Sequence, residues 1–328
     1  MDHPVVIGMD IGGTKTLIGL VDSQGKIIAK KQFPTNISSK PEEHLMKCIN
    51  VSQILLEQNK ISENFVLGMG VNVPGLADSR NGILTFAPYA GWKNVKVREI
   101  IQPYWSGKPV LIANDVNACA LGELLFGKGK NIRDFLWITI STGIGGGVIV
   151  NRQLVEGNTF IAGEIGHFVV EWENGNQCSC GNRGCLEAYS SGTAIANQAK
   201  IQIESNIGAE LAHYLNKRKL FISAETVARA AYEGIKSAKE IYRNAGTHLG
   251  RALSYAIILL NPGAIIIGGG VSQSFDLLEP SIREVLETSV ISEKNHTIPI
   301  FTTGLGYEAG LVGAASLVYL NEDSIQSN

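Results

Sequence analysis

The stretch Asp134-Phe135-Leu136-Trp137-Ile138-Thr139-Ile140-Ser141-Thr142-Gly143-Ile144-Gly145-Gly146-Gly147-Val148-Ile149-Val150 reads as an apolar strand, a glycine turn over Ser141 to Gly146 and a second strand, after which Asn151-Arg152 turns into Gln153 to Val155. The chain opens on the same pattern: Val5 to Asp10, the turn Gly12-Gly13, Thr16 to Val21, the turn Asp22-Ser23-Gln24-Gly25, then Lys26 to Phe33. A strand, glycine turn, strand, turn and strand that occur twice predict two related α/β halves facing each other across a cleft that holds the ligands. Between the copies, Pro41 suits the first turn of a helix, and Leu45, Cys48, Ile49, Ser52 and Leu56 recur on one face of it, which makes Cys48 a core residue. A strand from Phe65 to Val71 ends at Asn72-Val73-Pro74-Gly75, a buried strand from Val110 to Ala113 ends at Asn114-Asp115, and a helix runs from Val116 to Phe126. After the second copy the chain is mostly helical over roughly 186 to 260, followed by the strand Ala264 to Ile267, the turn Gly268-Gly269-Gly270 and a helical segment from Ala309 to Leu320.

A chain of 328 residues that is 45% hydrophobic and 18% charged can bury a sizeable core and excludes a disordered protein. A net charge of −2 with scattered Lys and Arg gives no electrostatic footprint for nucleic acid or an anionic membrane surface, so a small-molecule partner is expected. No apolar run is long enough to span a bilayer, and the strand that follows Met1-Asp2-His3-Pro4 is interrupted by Gly8 and Asp10, unlike a signal-peptide core. The expected location is the cytoplasm. Five cysteines then read as reduced thiols, and three of them, Cys178, Cys180 and Cys185, crowd together in a way that asks for a metal before a disulfide.

Asp10-Ile11-Gly12-Gly13-Thr14-Lys15 sits in a hairpin, where glycines let backbone N–H groups approach an anion and Thr14 adds a hydroxyl. It is neither a Walker loop nor a dinucleotide fingerprint, because no helix follows the strand. Thr142-Gly143-Ile144-Gly145-Gly146-Gly147 has the same capacity in the same setting. Asp115 follows a buried strand, where an α/β sheet presents residues to a ligand crevice; it would equally serve as the N-cap of the helix starting near Val116. Lys236, His248 and Arg251, on expected helices, read as solvated faces.

Four stretches in this order resemble the ROK family of sugar kinases and sugar-responsive repressors: Asp10 to Lys15, Asn114-Asp115, Thr142 to Gly147, and Gly163-Glu164-Ile165-Gly166-His167 running on to Cys178-Ser179-Cys180-Gly181-Asn182-Arg183-Gly184-Cys185-Leu186-Glu187. The resemblance implies an actin-like ATPase (ribonuclease H-like) α/β fold with a duplicated β-meander and a central cleft. The expected domains are residues 1–117 plus about 305–328, and 118–304. It further implies an ATP-dependent kinase that transfers the γ-phosphoryl group to the 6-hydroxyl of a hexose or N-acetylhexosamine, glucose or N-acetylmannosamine first, with Asp115 as general base. Gly75, Asn114, Asp115, Glu164, His167 and Glu187 resemble the family's sugar-binding set. Asp10, Gly12, Gly13, Thr14, Lys15, Thr142, Gly143, Gly269 and Gly270 resemble its nucleotide-binding set, Asp10 holding the hydration shell of Mg²⁺. His167, Cys178, Cys180 and Cys185 resemble its structural Zn²⁺ site, which three thiolates close to substrate. Ser141 departs from the glycine usual before the threonine. A homodimer or higher homo-oligomer is expected.

The rival function is a sugar-sensing repressor, which in this family carries a DNA-binding domain ahead of the first glycine turn; here that turn comes after eleven residues. A filament protein or chaperone leaves the cysteine cluster and Glu187 without a purpose. N-acetylglucosamine, allose and β-glucosides are the other substrates the resemblance allows. Tyr89-Ala90-Gly91-Trp92, two small residues beside aromatic ones, either borders room for an acyl group on carbon 2 of the sugar or is a packed loop.

Overall fold

The protein is described here by a computed structural model covering residues 4–88 and 90–326, with side chains described up to residue 321. Tyr89 of the candidate acyl border and Met1 to His3 of the expected N-terminus therefore lie outside the described residues. In chain order the strands are β1 (Val5–Ile11), β2 (Lys15–Asp22), β3 (Ile27–Pro34), β4 (Val66–Val73), β5 (Leu76–Asp78), β6 (Ile83–Ala87), β7 (Trp92–Val95), β8 (Val110–Asn114), β9 (Phe135–Ile140), β10 (Ile144–Val150), β11 (Gln153–Val155), β12 (Ala264–Gly268) and β13 (Ile300–Thr302). They form two five-stranded sheets of the same order, β3-β2-β1-β4-β8 and β11-β10-β9-β12-β13, and a small sheet β5-β6-β7. In each large sheet the three meander strands are extended by parallel ones, β4 and β8 in the first and β12 and β13 in the second. This is the duplicated meander that the repeated glycine turns predicted.

Two compact units result: Met1–Arg133 with Gly147–Ala162 and Thr303–Asn328, and Asp134–Gly146 with Gly163–Thr302. The sequence set the first boundary at 117 and 118, within a helix that the structure keeps whole. That helix, Asp115–Phe126, lies against the helix Ala309–Gln326 so closely that a Cβ on Gly313 would stand 2.3 Å from the Ala118 carbonyl oxygen.

In the first unit the alternation of β1 decides the layers. Val5, Ile7, Met9 and Ile11 join the core under the helix Pro41–Gln58, together with Cys48, Ile49 and Trp105. Val6, Gly8 and Asp10 fall on the opposite face, where Val6, Leu17 and Val21 pack with Leu311, Ala315, Val318 and Tyr319 of the helix Ala309–Gln326. Glycines let that helix come down onto the sheet: a Cβ on Gly70 would meet the Ala314 carbonyl oxygen at 1.7 Å, and one on Gly8 the Leu311 carbonyl oxygen at 2.7 Å. Glu123, fully buried, accepts from the backbone N–H groups of Lys128 at 2.7 Å and Gly304 at 3.1 Å, so its desolvated charge is met by hydrogen bonds.

In the second unit β9 and β12 run parallel, and the helix Lys236–Leu260 packs along Phe275–Ser289, with Gly246 and Gly250 facing Leu278, Ser281 and Val285. Ser223 and Thr226 close a reciprocal capping box at the start of the helix Ala224–Tyr232. No helix among the described residues is long and apolar enough to cross a membrane.

Candidate active site

In the first unit the loop between β1 and β2 is braced from below. Gly12 N–H donates to the Lys15 carbonyl at 2.9 Å, and the Thr35 hydroxyl donates to the Gly12 carbonyl at 2.7 Å. Thr35 N–H reaches the Thr14 carbonyl at 3.0 Å, and the buried Thr16 hydroxyl lies 2.8 Å from Thr35 Oγ1 and 2.9 Å from His44 Nε2. Thr14 and Lys15 are exposed above this network. Asp10 ends the strand beside the loop. Burial pushes its carboxyl up to about 6, against the downward pull of a hydrogen bond from Asn72 and the charge of Lys15.

The start of the helix Asp115–Phe126 separates the two roles that the sequence left open for Asp115. Asn114 is the N-cap: its Oδ1 accepts from Val116 N–H at 2.9 Å and Asn117 N–H at 3.2 Å. Its Nδ2 donates to the Gly75 carbonyl at 2.9 Å, tying two of the sugar-binding candidates together. Asp115 is the first helical residue, half-buried, with Oδ1 also 3.0 Å from Val116 N–H. Gly75 takes φ 138°, and a Cβ there would stand 2.2 Å from the Phe86 carbonyl oxygen, so only glycine fits this turn.

In the second unit the glycine turn is shorter than the sequence suggested, because β10 begins at Ile144 and takes Gly145 to Gly147 into the strand. Close approach explains two of these glycines: a Cβ on Gly146 would meet the Gly163 carbonyl oxygen at 2.6 Å, and one on Gly147 the Ala120 methyl at 2.7 Å. Ser141 N–H donates to the Gly143 carbonyl at 2.9 Å and the Ser141 carbonyl accepts from Gly192 N–H at 2.7 Å, which leaves the turn formed despite the added hydroxymethyl group. Glu187 reaches into this turn. Its Oε2 accepts from Ile144 N–H at 3.0 Å, and its Oε1 accepts from the Ser179 hydroxyl at 2.8 Å. One carboxylate thus joins the phosphate-type turn to the cysteine loop.

Ligand atoms of His167, Cys178, Cys180 and Cys185 all lie within 4.8 Å of one another. Cys180 Sγ and Cys185 Sγ are 3.7 Å apart, and Cys178 Sγ and His167 Nδ1 are 3.8 Å apart. A tetrahedral zinc with bonds of about 2.3 Å to sulfur has ligand edges of about 3.8 Å, so these residues fit the ion in both donor set and spacing. The cluster is laced by backbone bonds, among them Cys178 N–H to the Asn182 carbonyl at 2.9 Å and Leu186 N–H to the Phe168 carbonyl at 2.8 Å. His167 Nε2 lies 4.0 Å from Glu164 Oε2. Burial and the neighbouring Glu187 raise the Glu164 carboxyl, while His167 lowers it.

Gly269 adopts φ 84° with no room for a Cβ beside the Ile140 carbonyl oxygen, whereas Gly270 faces open space. A cavity of about 870 Å³ within this unit is lined by Thr142, Gly143, Ser179, Glu187, Asn197 and Asn244 among others. His248 and Arg251 are not solvated faces: His248 stacks on Tyr189 at 4.3 Å and faces Glu171, which also pairs with Arg251. Trp92 is a core residue packed on His44, with ring centroids 5.7 Å apart, so this tryptophan belongs to a packed segment. Sequence reasoning assigned no role to Thr35 and Asn72, which lie outside the matching stretches, nor to Ser179, which lies within the cysteine stretch but shows its role only through its contact with Glu187.

The sequence pattern of the ROK family matches residues 6–320. This chain belongs to the ROK family. Among its ROK relatives, the glucokinase of Thermotoga maritima is 34% identical, over 95% of this chain and 96% of its own. The xylose repressor of Bacillus subtilis is 30% identical, over 95% of this chain and 76% of its own. A solved ROK family glucokinase from Streptomyces griseus, in complex with glucose and AMPPNP, has a TM-score of 0.78 at 30% identity, covering 96% of this chain and 99% of that one. The ROK motifs of this chain are therefore divided by unit: Asp10 to Lys15, Gly75, Asn114 and Asp115 in the first, and Thr142, Gly143, Glu164, His167, the three cysteines, Glu187, Gly269 and Gly270 in the second.

Proposed function

We propose that this ROK protein is an ATP-dependent sugar kinase that phosphorylates the 6-hydroxyl of glucose or N-acetylmannosamine, with Asp115 as general base. The observation that carries the reading is the helix start at Asn114: the cap is supplied by Asn114, so Asp115 is not needed for that purpose and stands at the end of β8 as a carboxylate beside a tethered Gly75. The solved relative holding glucose and AMPPNP supports the substrate class.

In the reaction the sugar oxygen bonds to the γ-phosphorus as the bond to the β-phosphate oxygen breaks, and Asp115 takes the hydroxyl proton. In the first unit Gly13 and Thr14, on a turn that Gly12 closes by its bond to Lys15, offer donors suited to phosphate oxygens, and in the second unit Thr142 and Gly143 offer the same chemistry. Asn114, Glu164, His167 and Glu187 hydrogen-bond sugar hydroxyls, and Gly75 contributes its backbone. Asp10 would hold the hydrated Mg²⁺ that accompanies ATP, which supplies neutralisation of phosphate charge. The cysteines and His167 would hold Zn²⁺, whose role would be to fix the loop from Gly163 to Glu187.

The test incubates the protein with ATP, Mg²⁺ and, in turn, glucose, N-acetylmannosamine, N-acetylglucosamine, allose and a β-glucoside, reading ADP release and the phosphorylated product. Product on glucose or N-acetylmannosamine is expected, and none on their 6-deoxy analogues. Sugar binding without ADP release for any of the five would favour the sugar-sensing regulator, the function borne by the repressor relative.

A further inference from the structure

Asn72 stands in β4 directly beside Asp10 of β1 in the parallel register, so both side chains leave the sheet on the face covered by the helix Ala309–Gln326. It is completely buried, at 0% exposure. Its Nδ2 donates to the Gly310 carbonyl, in the first turn of that helix, at 2.7 Å, and the same side chain hydrogen-bonds the Asp10 carboxylate. Gly310 has given up its side chain to this arrangement, since a Cβ there would stand 2.6 Å from Asp10 Oδ2. The amide orientation is fixed by chemistry: turned over, Asn72 would set an oxygen against the Gly310 carbonyl and the Asp10 carboxylate, two acceptors.

That orientation leaves Asn72 Oδ1 buried and without a hydrogen-bond partner among the described residues. Buried acceptors are nearly always satisfied, so the donor for this one is a water or a ligand group, and its place beside Asp10 and the Gly12-Gly13 loop favours one that comes with the nucleotide. A hydrated magnesium ion turns the hydrogens of its waters outward, so a site for it needs acceptors side by side. Asp10 and Asn72 are such a pair at the end of adjacent strands, next to the Gly12-Gly13 loop.

We propose that Asn72 is a positioning and metal-shell residue of the nucleotide site: its amide hydrogens hold Asp10 against the start of the helix Ala309–Gln326, and its Oδ1 accepts from a water carried by the magnesium of Mg·ATP. The inference rests on the kinase reading and extends it to a residue outside every motif.

The experiment uses the full chain and Mn²⁺ with ADP as a paramagnetic probe, read by electron paramagnetic resonance, beside calorimetric titration with glucose and with N-acetylmannosamine. Asn72→Ala is expected to weaken Mn²⁺·ADP binding about tenfold, the usual scale for losing an outer-shell partner, and to leave the sugar affinity within about twofold. Asn72→Asp, like Asn72→Ala, loses the bonds to Gly310 and Asp10, and it sets a second carboxyl against Asp10, but it keeps an oxygen at the site, so it is expected to lose clearly less Mn²⁺·ADP affinity than Asn72→Ala while melting at a lower temperature. It also decides the matter if Asn72→Ala fails to fold. Equal and large losses of metal affinity in both variants, or unchanged affinity in Asn72→Ala with only a lowered melting temperature, would reduce Asn72 to a strut and overturn the proposal. A wild-type protein that binds no Mn²⁺·ADP and releases no ADP with any sugar would overturn the kinase reading itself, and the inference with it.

Discussion

The two glycine turns come from one repeated backbone pattern and are held in different ways. The first, at Asp10 to Lys15, is braced by its own unit's hydroxyls and by a carboxylate built into its strand: Thr35 and Thr16 below, Asp10 beside it, Asn72 behind. The second, at Ser141 to Gly143, is followed by a strand with no acid of its own and takes its carboxylate from Glu187, forty-odd residues along, at the end of the cysteine loop. A duplicated frame therefore keeps the donors and lets the acid be supplied from either place. The first turn stands on packing that forms with the sheet, whereas the second depends on a loop gathered around the cluster of His167 and three cysteines.

The contrast can be tested from its strongest consequence downward. Asp115→Asn keeps the shape of the first unit, because Asn114 and not Asp115 caps the helix, so sugar affinity should persist while kcat falls about a thousandfold for want of a base. A fall of less than about tenfold in steady-state turnover would return Asp115 to a structural role.

Asp10→Asn probes the acid of the first turn by stability. Burial pushes the folded carboxyl up to about 6 from its ordinary 3.8, so the folded state holds the proton more tightly than the unfolded chain. Stability from this group is complete below the unfolded value and is lost as pH rises through the folded one. At pH 7.5 the variant should be more stable by up to about 3 kcal/mol, a gain that vanishes below about pH 4, while Mg·ATP binding weakens. Denaturant midpoints at the two pH values decide it; an equal change at both would assign the effect to packing.

The second turn should answer to metal instead. Cys180→Ser or chelation is expected to weaken sugar binding about tenfold, with a smaller loss for AMPPNP transmitted through Ser179 and Glu187. The first turn has no such link and Asp10→Asn should leave zinc content unchanged. Purified protein without stoichiometric zinc would remove the distinction. The smallest effect belongs to Ser141→Gly, where backbone bonds already form the turn: the ATP constant should move by less than about 0.5 kcal/mol.

What the sequence yielded followed periodicity and glycine placement. β1, β2, β3 and β12 were legible to within one or two residues because short apolar or β-prone runs were closed by turn residues. The sheet β5-β6-β7 was not, since its strands are only 3 to 5 residues long and mix exposed with buried positions. The start of β10 was hidden by glycines that read as a turn and in fact sit in a strand crowded by neighbours. At the site, motif residues such as Asp115 and the cysteine cluster were visible as residue types. The division of labour between Asn114 and Asp115, the double use of Glu187 and the burial of Asn72 depend on contacts between distant segments, which spacing along a chain does not encode.

The glycines beneath the helix Ala309–Gln326 have a consequence for synthesis. Gly8 and Gly70 leave a trough in the first sheet into which this helix settles, and the helix is made some two hundred residues after the last strand beneath it. Until then Val6, Leu17 and Val21 lack their partners Leu311, Ala315, Val318 and Tyr319 and present an incompletely covered apolar surface on a sheet whose own strands are already paired. On the ribosome the first unit must either stay unfinished or be shielded until its final helix emerges, so that the oldest part of the chain is the last to become stable.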